Sequence, residues 1–399
     1  MTRWLEWLAS EAAAREAAGL QRSLRPRPAE GATTDLAGND YLGLSRDPAV
    51  VEAAAAAARR WGAGAGASRL VTGTLELHAQ LERELAAYLG QPAALVFSTG
   101  YHANLAAVAG LGGRDVLVVS DAHVHASLVD AVRLSKATVE IAPHQDVVAV
   151  EAALAGAGDR RTLVLAESVY SVLGDEAPLA ALAEVCERYD ALLVVDEAHG
   201  IGVRGPGVVR ELGLAGLPHV LVTATLSKAL GSQGGAVLGP QAIVDHLVNR
   251  ARPFIFDTGL APAAAGAALE ALRQLRARPE LADVVRRRSA DLAAALGVDP
   301  PAGAVLSVPM PSPQVALAAQ ASALAQGVTV GCFRPPSVPD GVSRLRITVS
   351  AGIAEADWSR AVDVLVAVVK EHSSTPRNRA VGGLRPDEAR FRGDPGEAL

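Results

Sequence analysis

Between residues 93 and 238 the chain alternates short, nearly unbroken apolar runs with alanine-rich stretches whose apolar positions recur at helical spacing. The runs are AALVF (93–97), DVLVV (115–119), TVEIA (138–142), TLVLAE (162–167), ALLVVD (191–196), HVLVTAT (219–225) and GAVL (235–238). Strands that are buried on both faces lose polar alternation, so runs of this kind predict a mainly parallel sheet with helices on both sides. The expected fold class is α/β, with a doubly wound, three-layer αβα large domain. After Pro240 the pattern turns helical to about Leu296, passes a Pro/Gly-rich stretch, and reaches SRLRITVS (343–350) and a last helical stretch to about Val369. That predicts a smaller α+β C-terminal domain fed by a long connecting helix. The expected division is an N-terminal helical arm (1–45), a large domain (46–255), a connecting helix with a small domain (256–372) and a disordered tail (373–399). In the tail, Pro376, Gly382, Gly383, Pro386, Gly393 and Pro395 stand among charges, a composition that cannot build a core.

Half of the residues are hydrophobic and 20% are charged, enough apolar material for one large and one small core. The net charge of -6 is spread along the chain and forms no basic block, so a small molecule is a better partner than nucleic acid or a membrane surface. No stretch has the length of a membrane span. Glu6, Glu11, Arg15 and Glu16 interrupt the first apolar residues, as in an amphipathic helix and unlike a signal peptide. With only Cys186 and Cys332 for 399 residues, no disulfide framework is expected, and a cytoplasmic location follows. Gly62, Gly64 and Ala67 in WGAGAGAS imitate a dinucleotide-binding loop, but they follow a helical stretch (50–60) where that motif needs a strand. A loop that admits a ligand or a partner chain is the better reading.

Polar groups cluster just past the carboxyl ends of the apolar runs: Thr99 and Gly100, Asp121, Glu167 and Ser168, Asp196, and the stretch from Thr225 to Lys228. Ligands of open α/β sheets bind along that edge. Of the 37 basic residues only Lys136, Lys228 and Lys370 are lysines. Lys136 and Lys370 stand in polar helix ends, whereas Lys228, in TLSKALGSQGG, follows an apolar strand among small residues that leave room for a planar ligand. A partly desolvated lysine loses its proton near neutrality and can form a Schiff base, as pyridoxal phosphate requires. That cofactor also needs a carboxylate at its ring nitrogen, and Asp196 in DEAHG fits. His199 is placed for the ring hydroxyl, with Ser171 on the same side. Gly100 and Tyr101, opening a helix in STGYHAN, offer amides for a phosphate, and the Thr225 hydroxyl adds to them. His125, in HVHAS, suits the ring face. Each residue alone has an ordinary explanation, such as a helix N-cap for Asp196 or a surface cation for the lysine. Only their conjunction points to one crevice.

GNDYLGLS (38–45), GAGASRLVTG (64–73), STGYHAN (98–104), HAS (125–127), ESVYS (167–171), VDEAHGIGVRG (195–205), TLSKALGSQGG (225–235), FRPPSVP (333–339) and RLRIT (344–348) occur in that order. Together they resemble the α-oxoamine synthase family of fold-type I, aspartate-aminotransferase-like pyridoxal-phosphate enzymes, over roughly residues 20–369. The resemblance implies catalytic roles for Lys228, Asp196, His199 and His125. It implies a decarboxylative condensation of L-alanine with a pimeloyl thioester, on coenzyme A or acyl carrier protein, in biotin biosynthesis. It further implies that Arg346, assisted by Asn39, clamps the amino-acid carboxylate. Arg334 and Ser337 would face the acyl substrate, and Arg22 would be a further carboxylate-binding arginine. A homodimer is implied too, its shared site receiving Thr258 from the partner near the phosphate. Two departures stand out. The family's usual Met-Asp-Gly-Asp after the serine is here VLGD, with Leu173 at the place of an acid, and Gln21 stands beside Arg22. A glycine-using sister such as 2-amino-3-oxobutyrate ligase, an aminotransferase needing no thioester, and a non-catalytic ligand sensor on the same fold remain the alternatives. The joint presence of Lys228, Asp196, His199 and Arg346 weighs against the sensor.

Overall fold

A computed structural model describes residues 2–17, 20–22, 24–29, 31, 33–335 and 337–373; the expected tail beyond 373 lies outside the described residues. The strands are β1 (Thr34–Leu36), β2 (Ala93–Phe97), β3 (Val116–Asp121), β4 (Thr138–Ala142), β5 (Arg161–Glu167), β6 (Leu192–Asp196), β7 (Val220–Thr225), β8 (Gly235–Gly239), β9 (Val305–Pro309), β10 (Val328–Phe333) and β11 (Arg344–Thr348). Seven form the large sheet, in the order β2-β8-β7-β6-β5-β3-β4. Every residue of β3 and β7 is buried, and successive residues feed opposite cores: Val119, Val164 and Val195 pack on one face, Val118, Leu165 and Val194 on the other. This two-sided burial is the physical reason for the unbroken apolar runs. At the edge, β4 is exposed at alternate positions, with Thr138 and Glu140 facing out.

The β3, β4, β5, β6 and β7 strands pair in parallel, so Asp121, Glu167, Asp196 and Thr225 end at one edge. β8 instead runs antiparallel to both β2 and β7. A parallel neighbour needs a crossover of roughly a dozen residues or more, and the connection 226–234 is too short for one. It returns as a tight loop, closed by Leu226 N donating to Gly234 O at 2.9 Å and Ser232 N to Leu226 O at 3.0 Å, and that loop carries Lys228. A Cβ on Gly235 would lie 2.4 Å from Thr99 O and 2.6 Å from Gly100 Cα. Glycine there lets the start of the helix Gly100–Leu111 press onto β8. Gly235→Ala is expected to cost about 1–3 kcal/mol by overpacking, read as a lower denaturant midpoint.

Two expected elements come out differently. The segment 1–45 is not wholly helical: after the helix Arg3–Ala17, which buries no residue, Thr34–Leu36 forms β1 and joins the C-terminal sheet, of order β1-β10-β11-β9. β1 runs parallel to β10 with Thr34 opposite Val328, and Leu36 is fully buried. Three residues are too few to show a periodicity. The single connecting helix is a series instead: Gln241–Arg250, Arg252–Ile255, Pro262–Ala277 and Glu280–Leu296. Pro253, Pro262 and Pro279 each sit at the start of one of these pieces, where a missing N–H is harmless, whereas mid-helix it breaks the ladder. Among the described residues no helix is long and apolar enough to cross a membrane.

Candidate active site

The carboxyl edge of the large sheet faces the small sheet, and the polar groups meet there. Asp196 ends β6 beside Glu167, its register partner at the end of β5. Its Oδ1 accepts from Ala198 N at 2.9 Å and its Oδ2 from Asn104 Nδ2 at 2.7 Å. The same amide nitrogen donates to Ser127 Oγ at 2.8 Å, and that hydroxyl lies 2.7 Å from His125 Nδ1. Ser127 N also donates to His125 Nδ1, at 3.2 Å, so this nitrogen acts as an acceptor while the ring stays exposed at the edge.

A second chain of contacts runs from Lys228 to Arg346. Lys228 Nζ lies 2.9 Å from His199 Nε2, and His199 Nδ1 lies 2.7 Å from the Tyr41 hydroxyl. That hydroxyl donates to Asn39 Oδ1 at 3.0 Å, which also receives both terminal nitrogens of Arg346 at 3.4 Å. Because the phenol spends its proton on Asn39, it accepts from His199 Nδ1–H, and Nε2 offers its lone pair to the lysine. Burial, and then the charges of Lys228, Arg346 and His125, hold the His199 imidazole well below its usual value, so it is neutral. Burial also raises the Tyr41 phenol to about 12, keeping its proton in place.

Lys228 is pulled below the usual lysine range by desolvation, against the opposing pull of Asp196 and Glu167 and with Arg346 adding to the shift. Lys136 and Lys370 are exposed, so Lys228 alone of the three lysines has this environment. Glu167 is pushed up by burial and by Asp196; its Oε2 accepts from Ser171 N at 3.0 Å. Arg346, on β11, donates Nε to Ser171 O at 2.7 Å and stacks 5.3 Å from the Phe333 ring. Across the strand pair a Cβ on Gly331 would come 3.0 Å from Arg346 O.

The remaining expected residues fall into two places. Thr225, at the end of β7, bonds Ser227 Oγ at 2.7 Å, and a Cβ on Gly100 would be only 2.9 Å from its Cβ. Gly100 and Tyr101 thus start their helix directly over the lysine loop, and Tyr101 points its hydroxyl outward to Asp130. Thr258 is exposed, its N–H held by Asp257 at 2.9 Å, and it bridges to Ser68 in the glycine loop. Beyond Phe333, Ser337 N donates to Arg334 O at 2.8 Å, and Arg22 donates to Ser337 Oγ at 2.6 Å. Ser171 contributes its backbone to these contacts, through N–H and C=O.

Tyr41, Asn104, Ser127 and Glu167 are the members that sequence reasoning left without a role. All four lie inside the quoted motifs GNDYLGLS, STGYHAN, HAS and ESVYS, so the signal was present but unassigned.

The site suits a planar, anionic aldehyde cofactor. A desolvated amine, a carboxylate at the neighbouring strand end, an exposed imidazole and a helix N-terminus brought close by Gly100 and Gly235 surround one space. Residues 32–365 match the family described as aminotransferase class I and II. The chain is 56% identical to the 8-amino-7-oxononanoate synthase of Mycobacterium marinum over 92% of this chain and 95% of that one. With the Mycobacterium avium enzyme of the same name it shares 57%, over 92% and 97%. Among solved structures it superposes on a serine palmitoyltransferase variant from S. paucimobilis with a bound PLP–myriocin aldimine, at a TM-score of 0.84 and 28% identity, covering 91% of this chain and 97% of that one. Fold, site and matches define a pyridoxal-phosphate enzyme of fold type I. The chain belongs to the class I and II aminotransferase family, on the branch of the 8-amino-7-oxononanoate synthases.

Proposed function

We propose that the chain condenses L-alanine with a pimeloyl thioester, on coenzyme A or acyl carrier protein, releasing thiol and carbon dioxide in biotin biosynthesis. The observation that carries this is the contact chain Lys228–His199–Tyr41–Asn39–Arg346, which joins a desolvated base to a buried guanidinium. Pyridoxal phosphate, when bound, supplies the electron sink for the charge left at the amino acid's α-carbon. Lys228 holds that cofactor and moves the α-proton, since its lowered affinity for protons leaves free amine near neutrality. Asp196 holds a proton at the ring nitrogen, and Asn104 keeps its carboxylate aimed. His199 presents a neutral imidazole to the ring hydroxyl, with Ser171 on the same side. His125 covers the ring face and excludes water. The amides of Gly100 and Tyr101 and the Thr225 hydroxyl bind the phosphate.

Arg346 grips the substrate carboxylate with a planar fork, backed by Asn39. Arg22, Arg334 and Ser337, gathered beyond Phe333, take the acyl substrate. The protein acts as a homodimer in the cytoplasm, and Thr258 reaches the partner's phosphate. Exposed Leu70, Val71 and Phe256 beside Thr258 support such an interface.

The test mixes protein and pyridoxal phosphate with L-alanine or glycine and with pimeloyl-CoA, pimeloyl-acyl carrier protein, acetyl-CoA or no thioester. Free thiol and the amino ketone are followed. Thiol release is expected only with L-alanine plus a pimeloyl thioester. Release with glycine and acetyl-CoA, or amino transfer without thioester, would reject the assignment.

A further inference from the structure

His144 lies in the connection between β4 and the helix Val147–Ala155, away from the contacts above. Its Nδ1 is 2.9 Å from Asp121 Oδ1 and 3.2 Å from Oδ2, and its Nε2 is 2.8 Å from Asp175 Oδ2. Ionised carboxylates only accept hydrogen bonds, and a neutral imidazole has a single N–H. Two such contacts, one at each ring nitrogen, therefore require the imidazolium. Burial works against that charge, but the bonds and charges of Asp121 and Asp175 outweigh it and raise the imidazole to about 9. Asp121 is held low in turn: burial pushes it up, and His144, then Gln145 N–H and His123 N–H, more than reverse this. The His123 ring stacks on His144 at 3.9 Å and the Tyr170 ring meets it edge-on at 4.4 Å, so these two and the two aspartates are the titratable groups facing it. Gln145, at φ 61°, donates its N–H to Asp121 at 2.8 Å and its side-chain amide to Asp175 at 2.8 Å.

The two carboxylates belong to the two stretches that present site residues. Asp121 accepts from His123 N at 2.7 Å, setting the turn that leads to His125. Asp175 closes the loop 170–176, where Tyr170 N donates to Asp175 O and Gly174 N to Tyr170 O, each at 2.9 Å. Within that loop Ser171 O receives Arg346 Nε, and Ser171 N reaches Glu167.

We propose that His144 is a positioning residue whose imidazolium, bridging Asp121 to Asp175, seats the 170–176 loop and through Ser171 aims Arg346 at the amino-acid carboxylate. This rests on the role proposed above for Arg346. It also accounts for the departure at Leu173: the bridge is made by Asp175, which the VLGD string retains. The imidazole binds its proton more tightly folded than unfolded, where its value is about 6.5. Its stabilisation is therefore full below about 6.5 and is lost as pH rises through about 9.

The first test is 15N NMR of histidine-labelled, cofactor-loaded, full-length protein, with the His144 signal assigned by its loss in His144→Gln. Both ring nitrogens are expected protonated at pH 7.5, with a midpoint near 9. A single neutral tautomer at pH 7.5 would overturn the bridge, whatever the enzyme's substrates prove to be. The second is kinetic: His144→Gln is expected to raise KM for L-alanine about ten-fold with kcat changed far less, and to lack the rise of KM that the wild type is expected to show as His144 loses its proton near pH 9. An unchanged KM with an unchanged alkaline limb would overturn the positioning role. Asp175→Asn gives an independent reading if the glutamine variant does not fold; it should lower the His144 midpoint and raise KM the same way, and wild-type values for both would reject the proposal. Failure of the wild type to use L-alanine at all would instead reject the underlying reaction while leaving the NMR result to stand.

Discussion

Lys228→Ala is expected to lower turnover by more than about four orders of magnitude, because in the proposed reaction this one amine both bonds the cofactor and moves the proton. The visible absorbance of covalently held cofactor should vanish with it. The fold should survive: the side chain is half-buried in the loop 226–234, its amine bonds His199, and the loop is closed by backbone bonds that alanine keeps. Removing the cation also removes the charge that restrains Glu167, so that buried carboxyl should shift further upward. Absorbance spectra, turnover and thermal unfolding measured on one preparation decide the matter. A Lys228→Ala protein that keeps wild-type turnover would overturn the cofactor assignment.

Arg346→Ala should raise KM for L-alanine by roughly 30- to 4,000-fold, the range expected when one partner of a buried charge pair is truncated. Arg346 is 5% exposed, and its loss takes the guanidinium donor from Ser171 O and leaves Asn39 Oδ1 to the Tyr41 hydroxyl, besides removing the proposed partner of the substrate carboxylate. Arg346→Lys keeps the charge but not the planar fork, so it should recover only a minor part of the affinity. The KM for the pimeloyl thioester should move little, since Arg22, Arg334 and Ser337 are gathered elsewhere. Initial rates with one substrate varied and the other saturating separate the two values. Equal effects on both would count against a carboxylate clamp.

The large sheet was legible because burial on both faces writes itself as apolar runs, and β2 and β4 fall where those runs do. β3 runs two residues past its apolar run because Ser120 and Asp121 continue the ladder with Ile141 and Ala142, and β7 starts one residue later than its run. β1 was not legible. Its three residues carry no period, and their burial depends on β10, almost three hundred residues away in the chain. The broken connecting helix was legible in principle from Pro253, Pro262 and Pro279, each of which stands at the start of one of its pieces.

Local chemistry in the sequence determined which lysine stands desolvated beside an apolar strand, which strands end in acids and where a helix opens after β2. Those properties depend on near neighbours in the chain, and solvation and strand periodicity can be read from them. Tertiary structure alone decided who meets whom. Asn39 and Tyr41 enter the site because β1 joins the small sheet, and Arg346 meets Ser171 because that sheet packs over the carboxyl edge of the large one. His144 acquires its proton only where the end of β3 and the 170–176 loop bring two carboxylates to one ring, since a charge in a half-buried place is stable only beside the partners the fold assembles.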